Sequence, residues 1–439
     1  MTASAKSAAK QAVPNGAAAA VWPAGDALGW ALLAAGVLFG AWMLFHTWAV
    51  DLTALYFAGH FFEVGRPDLV YLPGSEVFIA DPPPEYVALG AAEGWREGAL
   101  TPYLYPPLWA ALLAPLTAKL TAYQFFFVFQ LASLVAVAAS IRLSYRIAGS
   151  PAGLGFTPWV LISAALTAGT GAGYFGLWLG QPQILVDLAI LAAFAALLRG
   201  WDIPAGAALA LAAAMKLAPV LLVAVFIMER RWKAAASFLA FGLGFTWVSI
   251  RLAGWPLHAE LLDKLSGIDA ALLVSRVVAS LELVLLQIHD ALGGSAVWRI
   301  DHPYMVPEPD WIAAATRMAL AAGLIASWIA TRGLTERARI WARLMAVLLV
   351  TLVTGPLPWI HYLVLPLMLL PGLVMFLRPG RAMLALALIW APLSLPAFLA
   401  LGLHPDLGSV QAWLQFGMAL TMLGLVLVLA RRGARPEAV

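Results

Sequence analysis

Asp51 ends the first long apolar run of this sequence, in the stretch WAVDLTALYFAGHFFEVG at residues 48–65, and no charged side chain separates it from Asp26. A carboxylate beside apolar walls holds its proton more tightly than one in water, and can take a proton from an attacking hydroxyl as a general base. Lys216 stands alone in AALALAAAMKLAPVLLVAVFIM, where a compact cation suits a phosphate leaving group. His361 follows Pro358 by three residues in PLPWIHYLVLP, on the first turn of a helix where free N–H groups favour anions. Gln181 follows Gly180 in LWLGQPQILVD, and Tyr105 opens YPPLWAALLAPL. His60 and Arg66, close to Asp51 in the chain, are further candidates for substrate contact.

Each of these residues also has a plainer use. A helix-end aspartate can simply be solvated. Lys216 can snorkel to lipid headgroups or pair with Asp187. His361 can be a satisfied interfacial histidine, Gln181 can cap a turn, and Tyr105 can belong to an aromatic belt. A site is marked by convergence of such residues, which depends on the elements that carry them.

Of the 439 residues 63% are hydrophobic and 11% charged, with a mean hydropathy of +0.87. That composition describes an all-α polytopic membrane protein of about a dozen spans and leaves no room for a separate soluble domain. The net charge of +3 is small and segregated, which argues topology and excludes nucleic acid as a partner. With Cys 0, disulfides and thiolate chemistry are excluded. No metal motif such as HExxH is present, and neither a metal nor a cofactor is expected.

Four basic clusters set the topology under the positive-inside rule: 230–233, 332–343, 378–381 and 431–435. The expected organisation is a cytoplasmic tail at 1–26, a single integral-membrane domain at 27–430 with outer loops at 52–104 and 253–308, and a cytoplasmic tail at 431–439. Later spans are expected at 310–331, 339–355, 359–377, 381–401 and 408–430, with an amphipathic surface helix at 271–288. A continuous helix over 203–232 would hold Lys216 at mid-bilayer, at a cost of about 2.5–3.5 kcal/mol. Two short helices meeting at Lys216 and Pro219 avoid that. The same parity needs a turn at Gly180 and Gln181, and requires one of the segments 105–119, 122–141 and 154–178 to be broken or re-entrant. Arg142 and Arg146 fit either side. On this topology Asp51, Tyr105, Gln181, Lys216 and His361 reach one outer boundary.

The ordered set DLTALYFAGHFFEVGRPDLVYLP, YPPLWAALLAPLT, GQPQILVDLAILAAFAALLRG, GAALALAAAMKLAPVLLVAVFIMERRWKAA and PLPWIHYLVLPLMLLP resembles glycosyltransferase family 87, membrane enzymes of the GT-C type that use polyprenyl-phosphate sugars and are typified by alpha-mannosyltransferases. The resemblance implies inverting transfer of a sugar, mannose as the leading guess, from a polyprenyl-phosphate donor to a hydroxyl of a lipid or glycan acceptor. It places the reaction on the extracytoplasmic side of the inner (plasma) membrane. Asp51 maps to the base, and Lys216 and His361 to positions that touch the donor phosphate. Tyr105, Gln181, His60 and Arg66 would contact substrate. Two positions depart from the family pattern: Gln183 stands where Asn is common, and His361 lacks a paired histidine. A secondary transporter or a lipid or glycolipid flippase is the alternative, and would favour related halves with polar groups at the bilayer midplane. A non-enzymatic assembly partner, in which Asp51 would be expendable, is a third.

Overall fold

The apolar run before Asp51 forms α1 (Ala24–Leu44). A computed structural model describes residues 24–72, 82–95, 100–149, 154–294 and 297–434. The expected tails at 1–26 and 431–439 fall largely outside these residues, as do parts of the 52–104 segment. In that segment lie α2 (Leu52–Glu63) and α3 (Pro84–Ala92). After it comes α4 (Pro107–Thr117), opened by Pro106 and Pro107, whose missing N–H groups are no loss in a first turn. α5 (Ala122–Ala148) starts on a reciprocal cap between Thr121 and Gln124.

The segment 154–178 is the broken one: it holds two helices, α6 (Phe156–Thr167) and α7 (Gly171–Trp178). α8 (Gln183–Leu197) then leaves α7 at a bend of 109°. Gly180 makes that turn at a φ of 75°, where a Cβ would also lie 2.8 Å from the Leu52 side chain. α9 (Asp202–Met215) stops at Lys216, whose backbone is extended (φ −156°, ψ 133°). A 3-10 turn (Ala218–Leu222) leads into α10 (Val223–Met228), so the lysine separates two short helices as expected. α11 (Trp232–Asp269), kinked at Gly254, lies against α9. The two approach so closely that a Cβ at Gly206 would sit 2.3 Å from the Ala234 carbonyl oxygen.

The amphipathic helix expected at 271–288 is corrected. Ala271–Val274 is a strand, β1, paired antiparallel with β2 (Tyr304–Pro307), with Ala271 opposite Pro307 and Val274 opposite Tyr304. The helix, α12 (Leu281–Leu292), starts later, where Ser280 accepts a hydrogen bond from the Leu283 amide at 3.2 Å. α13 (Asp310–Thr331) and α14 (Glu336–Thr354) follow as anticipated. The span drawn at 359–377 is not one regular helix. A 3-10 turn (Ile360–Leu363), α15 (Val364–Leu369) and a second 3-10 turn (Leu370–Met375) replace it, because Pro366 and Pro371 interrupt the helical ladder. The span drawn at 381–401 divides at Ser394 into α16 (Pro379–Leu393) and α17 (Leu395–Gly402). α18 (Gly408–Arg432) closes the described chain.

Ion pairs define one end of the molecule. Arg142 at the end of α5 lies 3.7 Å from Asp26 in α1, and Arg231 lies 3.1 Å from Asp202 in α9. Glu229, past α10, takes Arg339 and Arg343 of α14, each at 2.8 Å. Arg337 donates to the carbonyl oxygens of Arg146 and Ile147 at 2.7 and 3.2 Å. Arg142 and Arg146 therefore belong with the 230–233 and 332–343 clusters. The protein is all-helical but for one two-stranded ribbon among the described residues. Five described helices are long and apolar enough to cross a bilayer, or six if the bent α7–α8 pair is one span, and six shorter apolar stretches accompany them.

Candidate functional site

Asp51 immediately precedes α2, and three contacts fix it. Its backbone N–H donates to the Leu179 carbonyl at 2.9 Å. Its side chain accepts from Thr101 Oγ1 at 3.0 Å and from Gln181 Nε2. Leu179 and Gln181 flank Gly180, so the turn between α7 and α8 carries both the backbone and the side-chain anchor of the carboxylate. The group is only 7% exposed. Burial pushes its carboxyl up to about 6, against the opposing pull of the Gln181 and Thr101 hydrogen bonds and the charge of Lys216.

Asp51 lines a cavity of about 340 Å³ together with Thr101, Tyr105, Gln181, Lys216 and His361. Five residues singled out in the sequence thus meet on one surface. Lys216 enters from the break between α9 and its 3-10 turn. Its Nζ lies 4.3 Å from the centre of the Tyr362 ring and 5.8 Å from that of Tyr105. No described carboxylate comes within 4.0 Å of it, so a pair with Asp187 is not formed. Asp187 instead accepts from Gln183 Nε2 at 2.7 Å. The break itself is held by Trp109 of α4, whose indole donates to the Met215 carbonyl at 3.1 Å, an acceptor left over at the helix end.

His361 is brought in by the segment 357–360, which pairs with the second expected outer segment. The Ala279 amide donates to the Pro358 carbonyl and the Ile360 amide to the Val277 carbonyl, each at 2.9 Å. The imidazole is buried edge-on to Tyr362, at 4.7 Å between ring centres, and its Nε2 has no hydrogen-bond partner among the described residues. Gln181 Oε1 is likewise unpartnered. These are two buried polar atoms at a cavity wall, the condition in which a ligand can supply the missing partner.

Two candidates do not join the site. His60, nine residues beyond Asp51 on α2, lies about 13 Å along the helix from it, and its ring stacks at 6.5 Å on Tyr56. Arg66 is exposed and ion-paired with Asp68 at 2.8 Å and Glu85 at 3.5 Å. Closeness in sequence misled here because α2 carries its far end away from the cavity. Thr101 and Tyr362 were missed. Tyr362 had a signal, as the neighbour of His361. Thr101 had little beyond standing four residues before Tyr105.

A cavity that pairs a tightly held carboxyl with an unpaired cation and unpartnered polar atoms suits proton removal beside an anionic group. The sequence profile of glycosyltransferase family 87 matches residues 103–356, more than half of the 439-residue chain. The chain belongs to glycosyltransferase family 87. Neither a curated protein nor a solved structure matches it. Membership makes the chain a membrane glycosyltransferase, with sugar donor and acceptor substrates and membrane lipids as its partners. The match contains Tyr105, Gln181 and Lys216, whereas Asp51 and His361 lie on either side of it.

Proposed function

We propose that this glycosyltransferase moves a sugar, with mannose as the leading candidate, from a polyprenyl-phosphate donor to a hydroxyl of a lipid or glycan acceptor, with inversion. Asp51 is the general base, and Lys216 and His361 receive the donor phosphate. Tyr105 and Gln181 contact substrate. In this reading the basic end is cytoplasmic and the cavity opens on the extracytoplasmic side of the inner (plasma) membrane. A GT-C-type architecture of about a dozen crossings counts the short helices among them, with 27–430 as one catalytic domain and 52–104 and 253–308 as its outer loops.

The observation that carries the reading is that Asp51, Lys216 and His361, from three remote parts of the chain, share one cavity. A sugar hydroxyl is a weak nucleophile near neutral pH, and a base that takes its proton as the new bond forms is worth about 10²–10⁴-fold. The phosphate leaves once its charge is met, which Lys216 and the unpartnered His361 Nε2 suit. The donor's lipid also has somewhere to go. A second cavity of about 210 Å³ shares Lys216 and Tyr362 with the first; Gln183, Asp187 and Thr351 also line it, and Leu217, Leu222, Ile268, Leu348 and Leu352 give it an aliphatic side. A headgroup at Lys216 with its chain along that side satisfies both chemistries.

The test is incubation of the purified protein with labelled polyprenyl-phosphate sugars and a membrane lipid extract. Label should move into a lipid or glycan product from one such donor. Transfer from a nucleotide sugar alone, with every lipid-linked donor inert, would remove the donor assignment.

A further inference from the structure

A third cavity lies at the basic end, remote from Asp51 in the fold. It measures about 410 Å³, and its walls include Arg146, Arg199 and Arg337 beside Leu143, Leu198 and Trp201. The three arginines come from the end of α5, the α8–α9 connection and the start of α14, so folding gathers them and sequence spacing does not. Their neighbours differ from them in one respect. Arg142, Arg231, Arg339 and Arg343 each have a carboxylate within ion-pair distance, whereas among the described residues Arg146, Arg199 and Arg337 have none. Among the described residues no acid lines the cavity.

Arg337 is partly engaged, through Nη1 on the Arg146 and Ile147 carbonyls. The Arg199 guanidinium lies 5.1 Å from the centre of the Trp201 ring. Arg146 and Arg199 are both exposed and line the same cavity, so their like charges repel unless an anion intervenes. Guanidinium groups bind phosphate with paired hydrogen bonds, and basic pockets between membrane helices hold anionic headgroups. The apolar half of the lining, Leu143, Leu198 and three alanines, favours an occupant with a hydrocarbon portion over a bare ion.

We infer that this cavity binds the phosphate headgroup of an anionic membrane lipid from the leaflet at the basic end. The inference is independent of glycosyl transfer and of the roles of Asp51 and Lys216.

The experiment is native mass spectrometry of the full-length protein titrated with phosphatidylglycerol, with phosphatidylcholine, and with inorganic phosphate. One phosphatidylglycerol should bind with at least about tenfold preference over phosphatidylcholine, a difference that raised salt reduces. Arg146→Gln with Arg199→Gln should weaken that binding by about tenfold or more, whereas Arg378→Gln with Arg381→Gln, at another basic turn, should leave it unchanged. Arg337 is spared because it ties down the end of α5. Equal losses in the two double variants, or no preference between the lipids, would overturn the site. Inorganic phosphate binding with no lipid preference would overturn the lipid assignment too. The lipid comparison on unaltered protein decides the matter even if the Arg146/Arg199 variant fails to fold.

Discussion

The two ends of this molecule treat charge in opposite ways. At the basic end Glu229 is buried between Arg339 and Arg343, with both contacts at 2.8 Å and the Glu229 and Arg343 side chains 3% and 4% exposed. At the other end Asp51 and Lys216 border the same cavity, yet no described carboxylate reaches ion-pair distance of the lysine. A half-buried charge without a contact partner is costly, so such a gap is tolerated where something else fills it. The first arrangement holds helices together. The second leaves room for a charged substrate.

The largest test of that contrast is Asp51→Asn. It should lower turnover by about 10²–10⁴-fold if Asp51 is the base, measured as product formed per folded molecule. Folding should not suffer. The folded carboxyl holds its proton up to about 6 against an ordinary 3.8, so Asp51 costs stability as pH rises through that window. The asparagine variant should therefore unfold at no lower temperature than the parent at neutral pH. Near-normal turnover would exclude Asp51 as the base.

Glu229→Gln inverts the pattern. It strands the buried Arg343 and should cost about 3–5 kcal/mol of stability, read in denaturant or thermal midpoints, with the activity of the surviving folded protein unchanged. Loss of activity without loss of stability would erase the distinction between the two ends. Lys216→Met should come next, reducing kcat/KM by about 10–100-fold as one charge-assisted contact is lost, with kcat falling as well as KM for the donor rising, because the charge it meets grows as the phosphate leaves.

The contrast can be sharpened with pH. If Asp51 must be ionised to act, activity should fall as pH drops through about 6. Thr101 donates to the carboxylate and so favours its charged form. Thr101→Val should move that acid limb upward by about half a unit to one unit, and a limb that stays put would free Thr101 of this role. The smallest effects are expected at His60→Ala and Arg66→Ala, which should leave kcat/KM within about twofold because neither residue borders the cavity.

How far the sequence could be read depended on the interaction involved. Hydropathy located α13 and α18 almost to the residue, since a long apolar stretch between polar ends has few other uses in a bilayer. The break at Lys216 followed from the penalty of leaving a charge on a continuous helix. Pairing across the chain left weaker marks. The β1–β2 ribbon depends on twenty-nine intervening residues returning Tyr304 to Val274, and its short apolar strand ALLV reads equally well as helix. Thr101 meets Asp51 from fifty residues further along the chain, a separation that no local pattern marks. His60 and Arg66 show the reverse error, in which residues adjacent in sequence are carried apart by a rigid helix.

The close fit of α9 on α11 has a consequence for how the protein is made. With 14 residues, α9 rises about 21 Å, short of a hydrocarbon core of about 30 Å. The six residues of α10 fall further short. Neither piece is a free-standing span, and the glycine contact that seats α9 requires Ala234, which emerges from the ribosome later. The lysine at their junction thus reaches its final depth only after translation has passed it, and truncation before α11 should leave the hairpin without a seat in the bilayer.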